Sequence, residues 1–531
     1  MRPTIRRLAG SLLFAAFFFL AANGHAGNVQ VVAYPARLTV ILQNTQPFEG
    51  PRGKAPSEAL APVTLFISGW TGAHPAVTAR SRDREIGAIC TSAHLADGAF
   101  EAAVELTFDD QHPLKSGKGS VALHLKLNGT LAAGRFEGEF DGIPVAGWVR
   151  GGIAYEVEFP SLGRGLRMWL PRPSQEVRAV LLWGNGANHD YRDAALTPYV
   201  QAYASANRLA IVATSQFGMM IGEGEGNLIL AALGWFARQS GHPEVEYAPL
   251  LCTGHSNGGQ MAYEFNAWMP ARVIAFTVSK GGDYESYDNL SPQALSTPAL
   301  LTAGEADEPR RIAAIHRIFD TNRPRGAPWS LIVEQGQAHT WNESVPLYLV
   351  AMQHALDQRL DAHASSIHGP VQLKPVDFAR AWLADNSTWK SGITAIYPAD
   401  RYPGKAIRVK EASWLIDEDA AMIYRGTATY NDPLKLALAN NHGPVYGSDE
   451  PLTFNGADFG SADWKSVKVY DGATLLGTIS RGHPTLTVSG PHPLGAHGSI
   501  LVGELPDGTL RTSQAVEWIV APNDVLPENE P

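Results

Sequence analysis

The sequence predicts an α/β fold in which a core with a mostly parallel sheet is flanked by an all-β domain on each side. Between residues 165 and 360, apolar strand-like runs alternate with helical patterns, as in parallel βαβ units. Residues 27–164 alternate apolar and polar positions with glycine punctuation, which is typical of a β-meander or sandwich. Short strands with turn dipeptides return in residues 431–521.

The composition is that of a multidomain globular protein. The chain has 531 residues, of which 45% are hydrophobic and 18% are charged, so about three domains are expected. The net charge of −10 comes without a long basic run, and we therefore expect no nucleic-acid partner. Cys90 and Cys252 lie in different predicted domains, and no cysteine or histidine cluster has zinc spacing. We expect neither a disulfide nor a metal cofactor.

Residues 1–26 have the pattern of a secretory signal. Arg2, Arg6 and Arg7 precede the apolar run "LLFAAFFFLAA", which is short for a bilayer span, and small residues end at Ala26. The alternative is a membrane anchor. No later stretch is long and apolar enough for a membrane helix, so we expect a secreted or periplasmic protein that does not associate with the membrane once the signal is removed.

The C-terminal part divides into three predicted regions. Residues 361–430 are rich in Trp, Pro and Asp without clear periodicity, which predicts an irregular extension packed on the core. In residues 431–521, hairpins are predicted around Asp471-Gly472 and Asp507-Gly508. The strand spacing there resembles that of bacterial Ig-like modules, which implies a β-sandwich. Residues 522–531 are predicted to be a disordered tail.

A candidate nucleophile lies in "APLLCTGHSNGG", where Ser256 follows a buried strand and precedes a helical pattern. Gly254 and Gly258 complete the pattern G-x-S-x-G. A strand-to-helix turn of this kind is tight and strained, so side chains two positions before and after the serine would collide with neighbouring backbone. The helix N-terminus also places positive partial charge near the serine. The alternative is a serine in an ordinary glycine-rich loop.

A nucleophilic serine needs a base and an acid that orients the base. Asp307 follows the predicted strand "PALLTAG", and His339 follows the predicted strand "WSLIVE". Because the carboxyl ends of parallel strands meet at one edge of a sheet, we expect the side chains of Ser256, Asp307 and His339 to lie together.

Each of these candidates has an alternative. His339 could be a surface histidine, and Asp307 could cap the helix that follows it. Glu305 and Glu308 lie close enough in sequence to serve as the acid in place of Asp307. His255 is predicted to be a packing or pocket residue rather than the base, because its position next to the serine on a tight turn directs its ring away from the serine hydroxyl.

The segments "GHSNGGQMAYEF" and "PARVIAFTVSKGG" resemble serine esterases of the α/β-hydrolase superfamily. They are similar to exported bacterial feruloyl esterases and polyhydroxyalkanoate depolymerases. The resemblance covers residues 165–360 and implies that this region is an α/β-hydrolase catalytic core, with an N-terminal all-β domain and a C-terminal Ig-like β domain on either side.

The resemblance also implies an oxyanion hole formed by two backbone N–H groups. One is that of Asn257, the residue after the serine. The other lies in "WGNGANHDYRD", where alignment with the His-Gly-x turn of the family selects Asn185, with Gly186 as the alternative. The loop could also be an ordinary Gly/Asn turn.

The resemblance implies a secreted serine carboxylic-ester hydrolase that forms an acyl-enzyme and needs no cofactor. Its expected partner is an ester substrate, either free or polymer-linked, with a carbohydrate-linked, aromatic or short-chain acyl group. One alternative is a serine peptidase on the same fold. The other is a non-catalytic surface-binding protein with a retired hydrolase domain. The sequence does not determine the natural ester or the oligomeric state.

Overall fold

The structure is a computed structural model that describes residues 29–44, 48–50, 53–55, 63–81, 84–108, 117–140, 142–172, 174–282, 284, 287–340, 345–386, 393–404, 409–429, 434–439, 444–459 and 462–523. The predicted signal and residues 524–531 of the predicted tail lie outside this part of the chain. Within it, no helix combines the length and the apolar character that crossing a bilayer requires. Cys90 and Cys252 are free thiols.

Eight strands of the N-terminal region close into an antiparallel barrel. In chain order the strands of this region are β1 (Val32–Asn44), β2 (Phe48–Gly50), β3 (Gly53–Ala55), β4 (Val63–Ser68), β5 (Ala76–Ser81), β6 (Arg84–Ala96), β7 (Ala99–Phe108), β8 (Gly117–Asn128), β9 (Leu131–Phe140) and β10 (Ile143–Phe159). Strand β1 pairs with β4 on one side and with β10 on the other, which closes the sheet. Strands β2 and β3 pair with each other. Period-two patterning directs Phe100, Leu123 and Phe136 into the buried interior.

The same sheet continues beyond the barrel. Its further strands are β11 (Arg164–Trp169), β12 (Ala179–Gly184), β13 (Leu209–Ser215), β14 (Leu250–Gly254), β15 (Val273–Ser279), β16 (Ala299–Gly304) and β17 (Trp329–Glu334). Strand β11 pairs antiparallel with β10 and β13. The remaining neighbours pair in parallel in the order β13-β12-β14-β15-β16-β17. One fifteen-stranded sheet therefore runs from the barrel to β17.

Helices pack on both faces of this parallel stretch. They are α1 (Pro198–Asn207), α2 (Gly226–Ser240), α3 (Glu244–Tyr247), α4 (Asn257–Trp268), α5 (Pro292–Leu295), α6 (Pro309–Asn322) and α7 (Val345–Arg359). The apolar residues of α1 and α7 belong to one buried cluster, and those of α2, α4 and α6 to another. The strands between them are buried on both sides, which explains why they are apolar throughout.

The predicted fold class, an α/β-hydrolase core between two β domains, is wrong for this chain. Strands account for 43% and helices for 26% of the residues that the structure describes, and a closed eight-stranded antiparallel barrel dominates this part of the chain. The predicted meander or sandwich is part of that barrel, and its sheet is continuous with the parallel strands. Period-two patterning shows which side chains face inward, but closure depends on pairing β1 with β10, and no local pattern records a pairing between distant strands.

The region that follows α7 covers the β17 edge of the sheet. It contains β18 (Trp382–Ala384), β19 (Ile396–Pro398), β20 (Ser413–Leu415) and α8 (Glu418–Ala428). The Leu331 N–H of β17 donates to the Ser413 hydroxyl at 2.9 Å, and the Tyr424 hydroxyl donates to the Leu331 carbonyl. These contacts occupy backbone groups that an edge strand would otherwise expose.

The C-terminal region forms two further sheets. Its strands are β21 (Lys435–Leu438), β22 (Val445–Gly447), β23 (Leu452–Ala457), β24 (Ser466–Asp471), β25 (Thr474–Ile479), β26 (Thr485–Val488), β27 (Gly495–Glu504), β28 (Leu510–Thr512) and β29 (Val516–Ala521). Hairpins lie at Asp471-Gly472 and Asp507-Gly508, where the turn dipeptides predict them. The region contacts the helices through Gln353 of α7, whose side-chain oxygen accepts hydrogen bonds from the Ala496 N–H and from Asn207 of α1.

Candidate active site

Ser256 lies on a strained turn between β14 and α4. Its φ is +56° and its ψ is −121°, a backbone conformation that residues other than glycine rarely adopt. Three glycines surround the turn at backbone contact distance. A Cβ atom on Gly254 would lie 2.3 Å from the carbonyl carbon of Gly258, and a Cβ atom on Gly258 would lie 2.4 Å from that of Gly184. The glycines are therefore required by the packing of β12 and β14 against the first turn of α4.

Replacing Gly258 with alanine should damage both the fold and the site. The added methyl overlaps backbone atoms that cannot rotate away, so we expect the free energy of unfolding to fall by about 1–3 kcal/mol. The turn must also shift, and a displacement of about 1 Å at a reacting group can cost about 100-fold in rate. Urea unfolding and ester turnover measure the two effects. Gly482→Ala is the matched control, because a Cβ atom there meets nothing within 4 Å; equal behaviour of the two variants would contradict the packing argument.

The structure brings Ser256, Asp307 and His339 together. Nε2 of His339 lies 2.9 Å from the Ser256 hydroxyl oxygen, and Nδ1 lies 2.8 Å from Oδ2 of Asp307. The three residues follow β14, β16 and β17, so the parallel sheet carries them to one edge. The Asp307 side chain is 2% exposed and that of His339 is 26% exposed. The histidine can therefore exchange protons with the serine while the aspartate stays out of solvent.

Asp307 is held as an anion by its hydrogen bonds. Burial by itself would raise its pKa, but the hydrogen bonds from His339 and from the Glu308 N–H outweigh burial, and the pKa is lowered. The second carboxylate oxygen accepts the Glu308 N–H at 2.7 Å and lies 3.3 Å from an Arg311 nitrogen. The carboxylate is thus oriented from both sides toward His339.

The two alternative acids have other partners. The Glu305 carboxylate accepts a hydrogen bond from the Gly336 N–H at 3.1 Å. Glu308 is exposed and pairs with Arg310 at 2.8 Å. The carboxylate that meets Nδ1 of His339 is that of Asp307.

Asp307→Asn should change the dependence of stability on pH. Since the pKa of Asp307 is lower in the folded chain, its contribution to stability is complete above its ordinary pKa of about 3.9 and is lost as the pH falls through the lower folded value. The variant should therefore be less stable than the wild type at neutral pH. The difference between their free energies of unfolding should become smaller below about pH 4. Turnover should fall by about 10⁴-fold, because an amide favours the wrong histidine tautomer. Urea unfolding from pH 3 to 7 measures this stability difference, and Asp400→Asn at an exposed position is the control. A stability difference that does not depend on pH would contradict the prediction.

His255 packs beside the site as a neutral ring. It is buried, its Nδ1 lies 3.2 Å from the Ser279 hydroxyl, and its ring centre is 4.6 Å from that of His339. Burial, followed by the nearby charges of His339 and Lys280, lowers its pKa to about 3. His255 thus acts as a packing neighbour, as the sequence predicts, and does not compete for protons near neutral pH.

The backbone N–H of Asn257 is available beside the serine. Asn257 is the first residue of α4, and among the described residues its N–H donates to no acceptor. Its side chain instead donates to the Phe217 carbonyl at 2.8 Å, which ties the serine turn to the loop after β13. A free N–H at a helix N-terminus is suited to hold a negative oxygen.

The predicted second donor, Asn185, is disfavoured by the structure. Its N–H donates to the Thr214 hydroxyl at 3.1 Å, and its side-chain oxygen accepts the Phe217 N–H at 2.9 Å. Asn185 is fully buried and holds two loops together. The alternative, Gly186, has an N–H that donates to no acceptor among the described residues. The alignment selects a residue by its position along the loop alone. In the structure, the Thr214 hydroxyl on the adjacent strand accepts the Asn185 N–H, which leaves the Gly186 N–H without that acceptor.

Sequence reasoning missed Lys280, which secures the histidine loop. Its side chain is fully buried just beyond β15, where it forms an ion pair with Glu334 at the end of β17. Its ammonium also donates to the Thr340 carbonyl at 2.6 Å, next to His339. The only sequence signal is a lysine that directly follows a mostly apolar strand, all of whose residues are buried. This pair ties together the ends of two strands and the loop that carries His339.

A buried ionic network anchors the loop after β12 to the barrel. Arg167 is fully buried and lies 2.7 Å from a Glu156 oxygen of β10. Asp190, at the end of the loop, pairs with Arg192 at 2.7 Å and with Arg80 of barrel strand β5 at 3.1 Å. Buried charges of this kind persist when they are paired and hydrogen-bonded. The barrel therefore helps to position the loop that carries Gly186.

One group of side chains in the described residues has metal-ligating chemistry. His354, Asp417 and Asp419 lie close together. However, Asp417 accepts the Ala420 N–H at 3.0 Å and lies 2.6 Å from Nδ1 of His354, while Asp419 accepts the Ala473 N–H at 2.8 Å. These groups cap α8 and hold the hairpin between β24 and β25.

No protein-family model matches the chain, and no curated protein matches it. Solved structures that are similar to parts of the chain include esterase PE8, which is 19% identical. The match covers 33% of this chain and 91% of that chain, with a TM-score of 0.27. Another is an esterase of Pyrobaculum calidifontis, with 15% identity, 33% and 72% coverage, and a TM-score of 0.25. Fibronectin(III)-like modules of Clostridium thermocellum CbhA share 18% identity over 16% of this chain and 93% of theirs, with a TM-score of 0.15. At these values the likeness assigns neither a family nor an activity to this chain.

Proposed function

We propose that the chain is a serine carboxylic-ester hydrolase with Ser256 as nucleophile, His339 as base and Asp307 as the orienting acid. The observation that carries this proposal is the continuous hydrogen-bonded relay from Ser256 through His339 to Asp307, at 2.9 and 2.8 Å. The relay begins on a strained turn at a helix N-terminus. A serine activated by a histidine whose other nitrogen meets a buried carboxylate is the arrangement that acyl transfer requires.

In the first half-reaction, Nε2 of His339 accepts the hydroxyl proton as the Ser256 oxygen attacks the ester carbonyl. The carbonyl oxygen becomes an oxyanion, which the N–H groups of Asn257 and Gly186 stabilise. Each such donor contributes about 3 kcal/mol to the transition state. The tetrahedral intermediate then collapses, and the alcohol leaves with the proton that His339 returns to it.

In the second half-reaction, water takes the place of the alcohol. His339 accepts a proton from the water as it attacks the acyl-enzyme, and the same N–H groups hold the second oxyanion. Collapse returns the proton to Ser256 and releases the carboxylic acid. Asp307 stays ionised throughout and stabilises the imidazolium form of His339. The neutral ring of His255 adds no competing positive charge next to that imidazolium.

The proposed substrates are carbohydrate-linked, aromatic or short-chain esters outside the cytoplasm. Ser256 is half-buried and His339 remains partly exposed, so both reacting groups can be reached from solvent. The predicted signal over residues 1–26 supports a secreted or periplasmic location. Because solvent reaches the turn that carries Ser256, an ester that is linked to a polymer is compatible with the proposed site.

The test combines active-site labelling with a choice of leaving group. A fluorophosphonate probe should label the full chain at Ser256, located by mass spectrometry of the modified peptide. p-Nitrophenyl acetate should be hydrolysed much faster than aminoacyl p-nitroanilides. Turnover of the anilides alone would replace the esterase proposal with a peptidase, and absence of labelling would indicate a binding protein that lacks catalysis.

A further inference from the structure

A groove of about 300 Å³ lies on the outer face of the barrel, lined by residues of β8, β9 and β10 and of the first turns of α1. None of its lining residues belongs to the site around Ser256. The residues that matter for its chemistry are Lys126, Ala133, Trp148, Arg150, Pro198 and Gln201. We refer to it as the barrel groove.

Two cations flank the floor of the barrel groove. Lys126 is paired with Ala133 across β8 and β9, and Ala133 is paired with Arg150 across β9 and β10. Residues in one such row project to the same face of a sheet. The neighbours Leu125 and Val149 are buried inside the barrel, so this row faces outward. The two cationic residues are separated by two strand spacings, about 10 Å, with only a methyl group between them.

The other walls add an aromatic ring and further positive potential. Trp148 is two residues before Arg150 on β10, so it lies on the same face, and it is half-buried. Helix α1 begins at Pro198, so the positive end of its dipole faces the groove. One wall residue is acidic: the carboxylate of Glu101 forms a hydrogen bond with Nδ1 of His124.

We propose that the barrel groove binds a ring-shaped ligand that carries a carboxylate. The carboxylate is held between Lys126 and Arg150, since guanidinium and ammonium groups bind carboxylates through charge-assisted hydrogen bonds. The ring lies against Trp148, and the volume is that of a small-ligand pocket. Uronate units of a polysaccharide and free aromatic acids share this chemistry. The inference does not depend on the reaction proposed for Ser256.

Calorimetric titration of the full chain tests the inference with three probes: trigalacturonate, benzoate and the neutral sugar maltotriose. We expect saturable binding of at least one acid, weakened by added salt, and no comparable binding of maltotriose. Ala133→Leu fills the floor and Arg150→Gln removes a cation, and each should weaken acid binding at least tenfold. Ala122→Leu is the matched control, since it makes the same change on the outer face of β8 away from the groove lining.

The three probes also identify the source of the ligand. Preference for trigalacturonate supports a polysaccharide, and preference for benzoate supports an aromatic acid. The inference is overturned if neither acid saturates the chain by about 10 mM, if maltotriose binds as tightly as the acids, or if folded Ala133→Leu keeps wild-type affinity. All variants should retain p-nitrophenyl acetate turnover, so failure of this inference is distinguishable from failure of the proposed hydrolysis.

Discussion

Ser256→Ala is expected to lower the turnover of p-nitrophenyl acetate by about a millionfold. In the proposed reaction, the variant removes the oxygen that forms the acyl-enzyme and leaves His339 and Asp307 without a nucleophile to activate. Alanine carries a Cβ atom as serine does, so it is no more strained at a φ of +56°, and the turn keeps its conformation. The free energy of unfolding should therefore stay within about 1 kcal/mol of the wild type. Steady-state kinetics and urea unfolding measure the two quantities.

Combining Ser256→Ala with His339→Ala tests whether the two residues act as one unit. Because each needs the other, the double variant should be about as slow as either single variant. Ser330→Ala is the matched control: this buried serine lies in the same sheet and donates to the Ala299 carbonyl, outside the site. Wild-type turnover in Ser256→Ala, or a double variant slowed by the product of the single effects, would contradict the assignment.

Lys280→Met is expected to reduce both stability and turnover. Glu334 would keep a buried charge without the Lys280 ammonium, and breaking a buried ion pair typically costs about 3–5 kcal/mol. The Thr340 carbonyl would also lose its ammonium donor, so the adjacent His339 would no longer be held at its position. A misplaced base lowers the rate by about 100-fold. Because His339 is the proposed base of the chemical step, we expect kcat to fall while KM changes little.

A double variant separates the two roles of Lys280. Lys280→Met with Glu334→Gln also removes the buried carboxylate charge, so the free energy of unfolding should recover substantially. The Thr340 carbonyl still lacks its donor, and kcat should remain low. Recovery of kcat together with stability would show that the pair only supports folding. Lys435→Met, which removes a lysine from the exposed pair with Asp458, serves as a control with little effect on either quantity.

Local patterns determine much of the candidate site. The run that ends in Gly254 must be a buried strand, and the pattern after Ser256 must be a helix, so the serine falls on a tight turn. Asp307 and His339 each follow an apolar strand, and parallel strands carry their C-terminal ends to one edge. The contacts among the three side chains are thus foreseeable from periodicity and chain order, which are properties of the sequence alone. The catalytic roles of the three residues remain a proposal.

Only the tertiary structure decides the features that depend on distant residues. The barrel closes because β1 pairs with β10, and an alternating pattern is the same in an open and a closed sheet. The N–H of Asn185 is occupied because Thr214 of the next strand lies beside it. Lys280 meets Glu334 because β15 and β17, which are separated by β16, both run in parallel to the same edge of the sheet. The sequence alone determines the strands, the turn and the order of the candidate residues, since these follow from neighbours along the chain. Folding decides the closure of the sheet, the free N–H groups and the buried ion pair, since these follow from neighbours in space.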